Sequence, residues 1–156
     1  MEHHAGAFTA PEQNLEARKS TIALIPPSSA VQWIYDRLFA VAAKFNREYW
    51  QFNLTGSERM QFGRYGPDQH YDWHMDLGSR GTFTLRKLSL SLQLSDPADY
   101  QGGDLEINMG SFSKTAPRDK GSVVLFPSYA LHRVQPVLGG ERRSLVCWFV
   151  GDAPFR

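Results

Sequence analysis

The stretch RYGPDQHYDWHMDLG, residues 64–78, contains two overlapping His-x-Asp pairs, His70 with Asp72 and His74 with Asp76. On a strand, residues two apart leave the same face, with Cα atoms roughly 6.6 Å apart. An imidazole and a carboxylate at that spacing can converge on one cation. All four side chains would share a face of one straight strand, so alternation alone leaves open which pair does so. The second pair lies just before the LGSRGT loop, at a strand end where a pocket mouth can open, whereas His70 follows the GPDQ turn.

A further donor stands well downstream, His132 in PSYALHRVQPV, on another predicted strand. Two imidazoles and one carboxylate occupy three positions around a metal and leave others open, the donor set of non-haem Fe(II) oxygenases. Arg142 follows in GGERRSLVCWFV. The Gly139–Gly140 pair predicts a turn that runs the Arg142 strand back beside the His132 strand. Arg142, Ser144, Val146 and Trp148 then share one face, and Arg143, Leu145, Cys147 and Phe149 the other. A guanidinium binds carboxylates with two prongs and keeps its charge, so Arg142 with Ser144 beside a metal predicts a carboxylate clamp. Iron(II) held with Asp76 and a dicarboxylate leaves one net negative charge, which Arg142 cancels.

Those residues need elements to position them. STIALIPP reads as a strand, and Ser28 or Ser29 as the cap of a helix carrying Val31, Ile34, Leu38, Val41, Ala42 and Phe45. From residue 48 the pattern turns to short strands: EYWQFNL, RMQFGRY, HYDWHMD, TLRKLSLSLQL, GDLEIN, GSVVLFP, ALHRVQPV and RRSLVCWFV. Turn residues punctuate them every 8–12 positions or so, the pattern of a sandwich or small barrel. The expectation is a mainly β jelly roll supported by one long helix, with a polar N-terminal segment over 1–17 and one domain over 18–156. In KLSLSLQL the four leucines Leu88, Leu90, Leu92 and Leu94 share one face. Ser89, Ser91 and Gln93 share the other, which faces solvent or, in a jelly roll with a polar interior, the ligand.

RYGPDQHYDWHMD, RKLSLSLQLSDPADYQGGDLEI and LFPSYALHRVQPVLGGERRSLVCWF together resemble the Fe(II)- and 2-oxoglutarate-dependent dioxygenases of the prolyl 4-hydroxylase-like group. The resemblance covers roughly residues 18–150 and implies a double-stranded β-helix core. It implies His74, Asp76 and His132 as iron ligands, choosing the second His-x-Asp pair over the first, and Arg142 as the partner of the 2-oxoglutarate C5 carboxylate. It puts Tyr65 at the border of the cosubstrate, Gln93 where some relatives carry a hydrogen-bonding Tyr, and Trp148 at the position of an inward-facing aromatic; Gln61 joins them as a substrate-pocket candidate. The implied activity is hydroxylation of an unactivated C–H on a peptidyl, amino-acid or small-molecule substrate. Iron(II), O2 and 2-oxoglutarate take part, succinate and CO2 are released, and ascorbate is a supporting reductant. A cupin-like metal-binding jelly roll that isomerises or only binds its ligand can also use His and Asp, but it has no need of Arg142.

The chain of 156 residues is long enough for one sizeable core, and its net charge of +1 carries no polybasic tail. With no basic stripe or aromatic-rich flap, nucleic acid is not an expected partner. No apolar run reaches membrane-spanning length and no signal segment opens the chain, so no membrane partner and a cytoplasmic location are expected. Cys147, the single cysteine, sits in an apolar run and reads as a buried hydrophobe. LGSRGTFT and residues 108–120 are the expected mouth loops. Arg80, Lys114, Arg118 and Lys120 in them read as solvated charge or as a lure for an anionic substrate. His3 and His4 read as exposed.

Overall fold

A computed structural model describes residues 17–155; His3, His4 and the rest of the N-terminal segment before Ala17 lie outside the described residues. The elements in chain order are β1 (Arg18–Lys19), β2 (Thr21–Ile25), α1 (Gln32–Tyr49), β3 (Gly56–Ser57), β4 (Met60–Tyr65) and β5 (His70–His74). Then come β6 (Arg86–Gln93), β7 (Tyr100–Gly102), β8 (Leu105–Asn108), β9 (Ser113–Thr115), β10 (Val123–Pro127), β11 (His132–Val134), β12 (Val137–Gly140) and β13 (Arg142–Val150). Single 3₁₀ turns at Gly81–Leu85 and Pro97–Asp99 precede β6 and β7.

The strands form two main antiparallel sheets, one in the order β1-β5-β11-β8-β9 and the other β10-β6-β13-β4-β2, with β3 added to β13. This is the expected mainly β jelly roll with one long helix. The strict alternation of β6 and β13 explains how the second sheet serves two masters. Its outer face presents Leu88, Leu90, Leu145, Cys147 and Phe149, which pack with Met60 against Tyr35, Leu38 and Ala42 of α1. Each large side chain removed from water there contributes about 1.5–3 kcal/mol. Its inner face presents Ser89, Ser91, Arg142, Ser144 and Trp148, all buried. The polar face of β6 therefore points inward, toward the other sheet, rather than to solvent.

Several local expectations are corrected. EYWQFNL is not a strand: α1 continues through Tyr49, and Gln51 takes φ +57. Buried Asn46 then locks the exit, its amide donating to Phe52 O at 2.8 Å and its carbonyl accepting from Phe52 N at 3.0 Å. Neither serine caps α1 through its hydroxyl; Val31 is the cap residue, and the Ser28 carbonyl accepts from Val31 N and Gln32 N. Phe45 is exposed, while Tyr35 takes a core position and bridges Ile25 O and Met60 N through its hydroxyl. Gly139–Gly140 do not fold β13 back onto β11. They belong to β12, which pairs with β7, and the two functional strands lie in different sheets. Gly140, at φ +72, approaches Asp99 O so closely that a Cβ would stand 2.0 Å from it.

Candidate active site

His74 closes β5 and His132 opens β11, and the two are cross-strand partners with ring centroids 4.2 Å apart. Each ring is aimed by a carbonyl: His74 Nδ1 lies 2.6 Å from Asp72 O, and His132 Nδ1 lies 2.9 Å from Ala130 O. A carbonyl can only accept, so both Nδ1 atoms carry the proton and both Nε2 lone pairs are left for a cation. Burial, and then the neighbouring His132, pull the His74 pKa down to about 4. The Asp72 carbonyl and Asp76 oppose that shift without reversing it, so this imidazole is neutral at neutral pH, as a ligand must be.

Asp76 is not reached by strand alternation, because β5 ends at His74. A register shift between His132 and Val134 breaks the regular phase. Tyr71 consequently stacks on His74, with centroids 3.4 Å apart, and Asp72 is exposed. The turn after β5 is tied down by Ser128 O, which accepts from Asp76 N and Leu77 N at 3.0 and 2.8 Å. Ser89 Oγ donates to Asp76 Oδ2 at 2.7 Å and meets Ser128 Oγ at 3.0 Å, while Arg86 donates to the Asp76 carbonyl. Asp76 Oδ1 and Oδ2 end 3.7 Å and 3.5 Å from the Nε2 atoms of His74 and His132. One donor atom from each residue lies within 4.8 Å of the others. Two imidazoles and a carboxylate, facing one open cavity, fit a divalent cation of the first transition row.

Across the cavity, on β13, Arg142 is 3% exposed. Among the described residues no carboxylate lies within 4.0 Å of it; its company is Ser144 Oγ at 3.5 Å, the Tyr65 ring at 5.6 Å and the Tyr100 phenol. Burial lowers its pKa, and the Tyr65 and Tyr100 phenols oppose that. A guanidinium left buried without a counter-ion costs several kcal/mol, so an anion entering the cavity could find a partner here. The cavity between the sheets measures about 840 Å³ and is lined by His74, Asp76, His132, Arg142, Tyr65, Ser144, Gln61 and Trp148, among others. Trp148 Nε1 is buried there without a hydrogen-bond partner among the described residues.

The remaining candidates fall elsewhere. Gln93 lies behind Arg142, donating to the Tyr100 hydroxyl at 2.6 Å beside a separate void of about 10 Å³, and does not line the main cavity. Thr82 and Phe83 of the LGSRGTFT loop do line it, but residues 108–120 do not. Arg118 is spent on Asp104 and the Gly102 and Tyr100 carbonyls, and Arg80, Lys114 and Lys120 are exposed. Sequence reasoning missed Tyr71, Ser128, Arg86 and Tyr100. Only Ser89 carried a signal, its place on the polar face of β6.

Residues 60–150 match the sequence pattern of the 2OG-Fe(II) oxygenase superfamily. A PKHD-type hydroxylase of Shewanella baltica is 39% identical over 90 residues, covering 56% of this chain and 40% of the relative. Another from Gloeothece citriformis is 40% identical over 88 residues, with the same coverage. The chain thus spans about 40% of the length of the curated relatives it matches. In fold it is similar to a Pseudomonas putida prolyl-4-hydroxylase, with TM-score 0.74 and 23% identity over 91% of this chain and 77% of that one. It is also similar to a Trichoplax adhaerens prolyl hydroxylase in complex with a hypoxia inducible factor oxygen degradation domain peptide fragment, with TM-score 0.76 and 17% identity over 94% and 70%. With more than half its length matched by the family pattern, and with the jelly roll and His–Asp–His cluster in place, the chain belongs to the 2OG-Fe(II) oxygenase superfamily, whose cofactor and cosubstrates are Fe(II), 2-oxoglutarate and O2.

Proposed function

We propose that residues 18–156 form one Fe(II)- and 2-oxoglutarate-dependent hydroxylase domain. His74, Asp76 and His132 hold iron(II), and Arg142, with Ser144 and Tyr65 beside it, takes the distal carboxylate of 2-oxoglutarate. When bound, the iron supplies the O2 chemistry that couples decarboxylation of 2-oxoglutarate to hydroxylation of a substrate C–H. The residues of the chain do the rest. The Asp72 and Ala130 carbonyls hold both imidazoles in the liganding tautomer, and Ser89 fixes the carboxylate. Arg142 orients the cosubstrate with two prongs where a lysine would offer a point charge. Trp148 and Phe83 wall the cavity beside Arg86 and are placed to meet the substrate. Ascorbate serves as a supporting reductant. A peptide side chain is the favoured substrate, supported by the peptide held by the Trichoplax neighbour.

The carrying observation is the three-donor cluster and the buried Arg142, with no carboxylate within 4.0 Å among the described residues, on opposite walls of one cavity. A metal-dependent isomerase or passive binder leaves that guanidinium without a counter-ion. Anaerobic titration with Fe(II) and 2-oxoglutarate tests the proposal: a weak visible charge-transfer band should need both components and vanish in Asp76→Ala. Succinate release with peptide substrates should follow. A wild-type protein that forms no such band overturns it.

A further inference from the structure

Three buried arginines face the cavity, and nothing in the metal or cosubstrate scheme uses one of them. Arg18 of β1 is 8% exposed and lines the cavity wall. Its guanidinium lies 4.6 Å over the Tyr71 ring, and that ring stacks at 15° on His74. The cation is therefore held one ring beyond the metal-side imidazole. Its Nε donates to Ser20 Oγ at 2.8 Å, and among the described residues no carboxylate comes within 4.0 Å.

The other arginines of the cavity sharpen the contrast. Arg86 is answered by Glu58 with two contacts of 2.7 and 2.6 Å, and among the described residues Glu58 is the one acidic residue on the wall besides Asp76. Arg142 is answered by 2-oxoglutarate under the function proposed above. That leaves Arg18, joined at the rim by exposed Arg59, which also has no carboxylate within 4.0 Å among the described residues. With iron(II), Asp76 and 2-oxoglutarate in place, the wall still carries uncompensated positive charge. A buried guanidinium keeps its charge, so it needs a partner that arrives with the substrate.

We propose that Arg18 is a specificity-determining residue that binds a carboxylate on the substrate, close to the carbon that reacts. The same chemistry is offered by an acidic side chain next to the target in a peptide, or by a free carboxylic acid. The Tyr71 ring, 4.6 Å from the guanidinium carbon, and Ser20 Oγ on Nε hold this cation in place, and no carboxylate among the described residues engages its other nitrogens. This inference rests on the iron and 2-oxoglutarate reading of the site.

The test uses the full chain loaded anaerobically with Fe(II) and 2-oxoglutarate, followed by its visible band and tryptophan fluorescence. The probes are two end-capped proline-containing heptapeptides that differ only in Glu or Gln beside the proline, and free proline against prolinamide. The acid should bind about tenfold or more tightly than its amide in one of the two pairs, as a charged hydrogen bond requires, and which pair responds identifies the source. Arg18→Gln should abolish the preference and Arg18→Lys should keep most of it, with 2-oxoglutarate affinity changed less than twofold in either. A stacking role alone would not move an acid-over-amide ratio. Should Arg18→Gln fail to fold, the wild-type preference and its decline with added salt still decide. Equal binding of acid and amide, no binding of either, or a preference that survives in Arg18→Gln overturns the inference while a normal band leaves the hydroxylase proposal standing. Absence of the band overturns that proposal instead.

Discussion

The two walls of the cavity are built differently. β6 and β13 are long and regular, pairing from Ser144 with Gln93 through Phe149 with Leu88 before one irregularity at Val150. β5 and β11 are short, and their pairing slips between His132 and Val134. The regular wall makes core on one side and a polar lining on the other from a single alternation. The irregular wall gives up ladder geometry so that Tyr71, His74 and His132 can crowd one spot, and Asp76 is delivered by a turn. Regularity anchors the fold and Arg142; irregularity gathers the three candidate donors.

If the walls divide labour this way, damage to each should read out differently. The largest effect is expected from the irregular wall: His132→Ala or Asp76→Ala abolishes the Fe(II)- and 2-oxoglutarate-dependent band and succinate formation, while the melting temperature moves by only a few degrees or so. A large loss of stability in both would erase the distinction. Arg142→Ala, on the inner face of the regular wall, leaves a carboxylate unpaired at a cost of about 3–5 kcal/mol. That should raise the 2-oxoglutarate KM by roughly two to four decades. Phe149→Ala removes a fully buried ring from the outer face of the same strand. Denaturant unfolding should report about 3–5 kcal/mol less stability, with the iron band intact at low temperature. Ser89 joins the walls through Asp76 and Ser128, so Ser89→Ala should weaken Fe(II) affinity by about 10–100-fold. Smallest is a silent group: burial raises the Cys147 thiol to about 12, so iodoacetamide at pH 8 should label only the unfolded chain.

The sequence by itself offered the donors: two His-x-Asp pairs, His132 and Arg142 follow from residue type and charge, which do not depend on where the chain goes, and the family resemblance chose His74 and Asp76 over His70 and Asp72. It also determined the two-faced pattern of β6 and β13, because alternation is a local property of extended backbone. It could not say that β11 and β13 lie in opposite sheets, since a Gly-Gly pair licenses a turn without choosing its partner, and here that partner is β7. Nor could it end α1 beyond Tyr49, where the Asn46 bonds to Phe52 override a strand-like run, or set Gln93 behind Arg142 and outside the cavity. Arg18, in a two-residue strand, carried no signal at all. Its meaning arises from β1 pairing with β5, which lays a guanidinium on Tyr71, and contacts between residues so far apart in the chain are decided only when the sheets close.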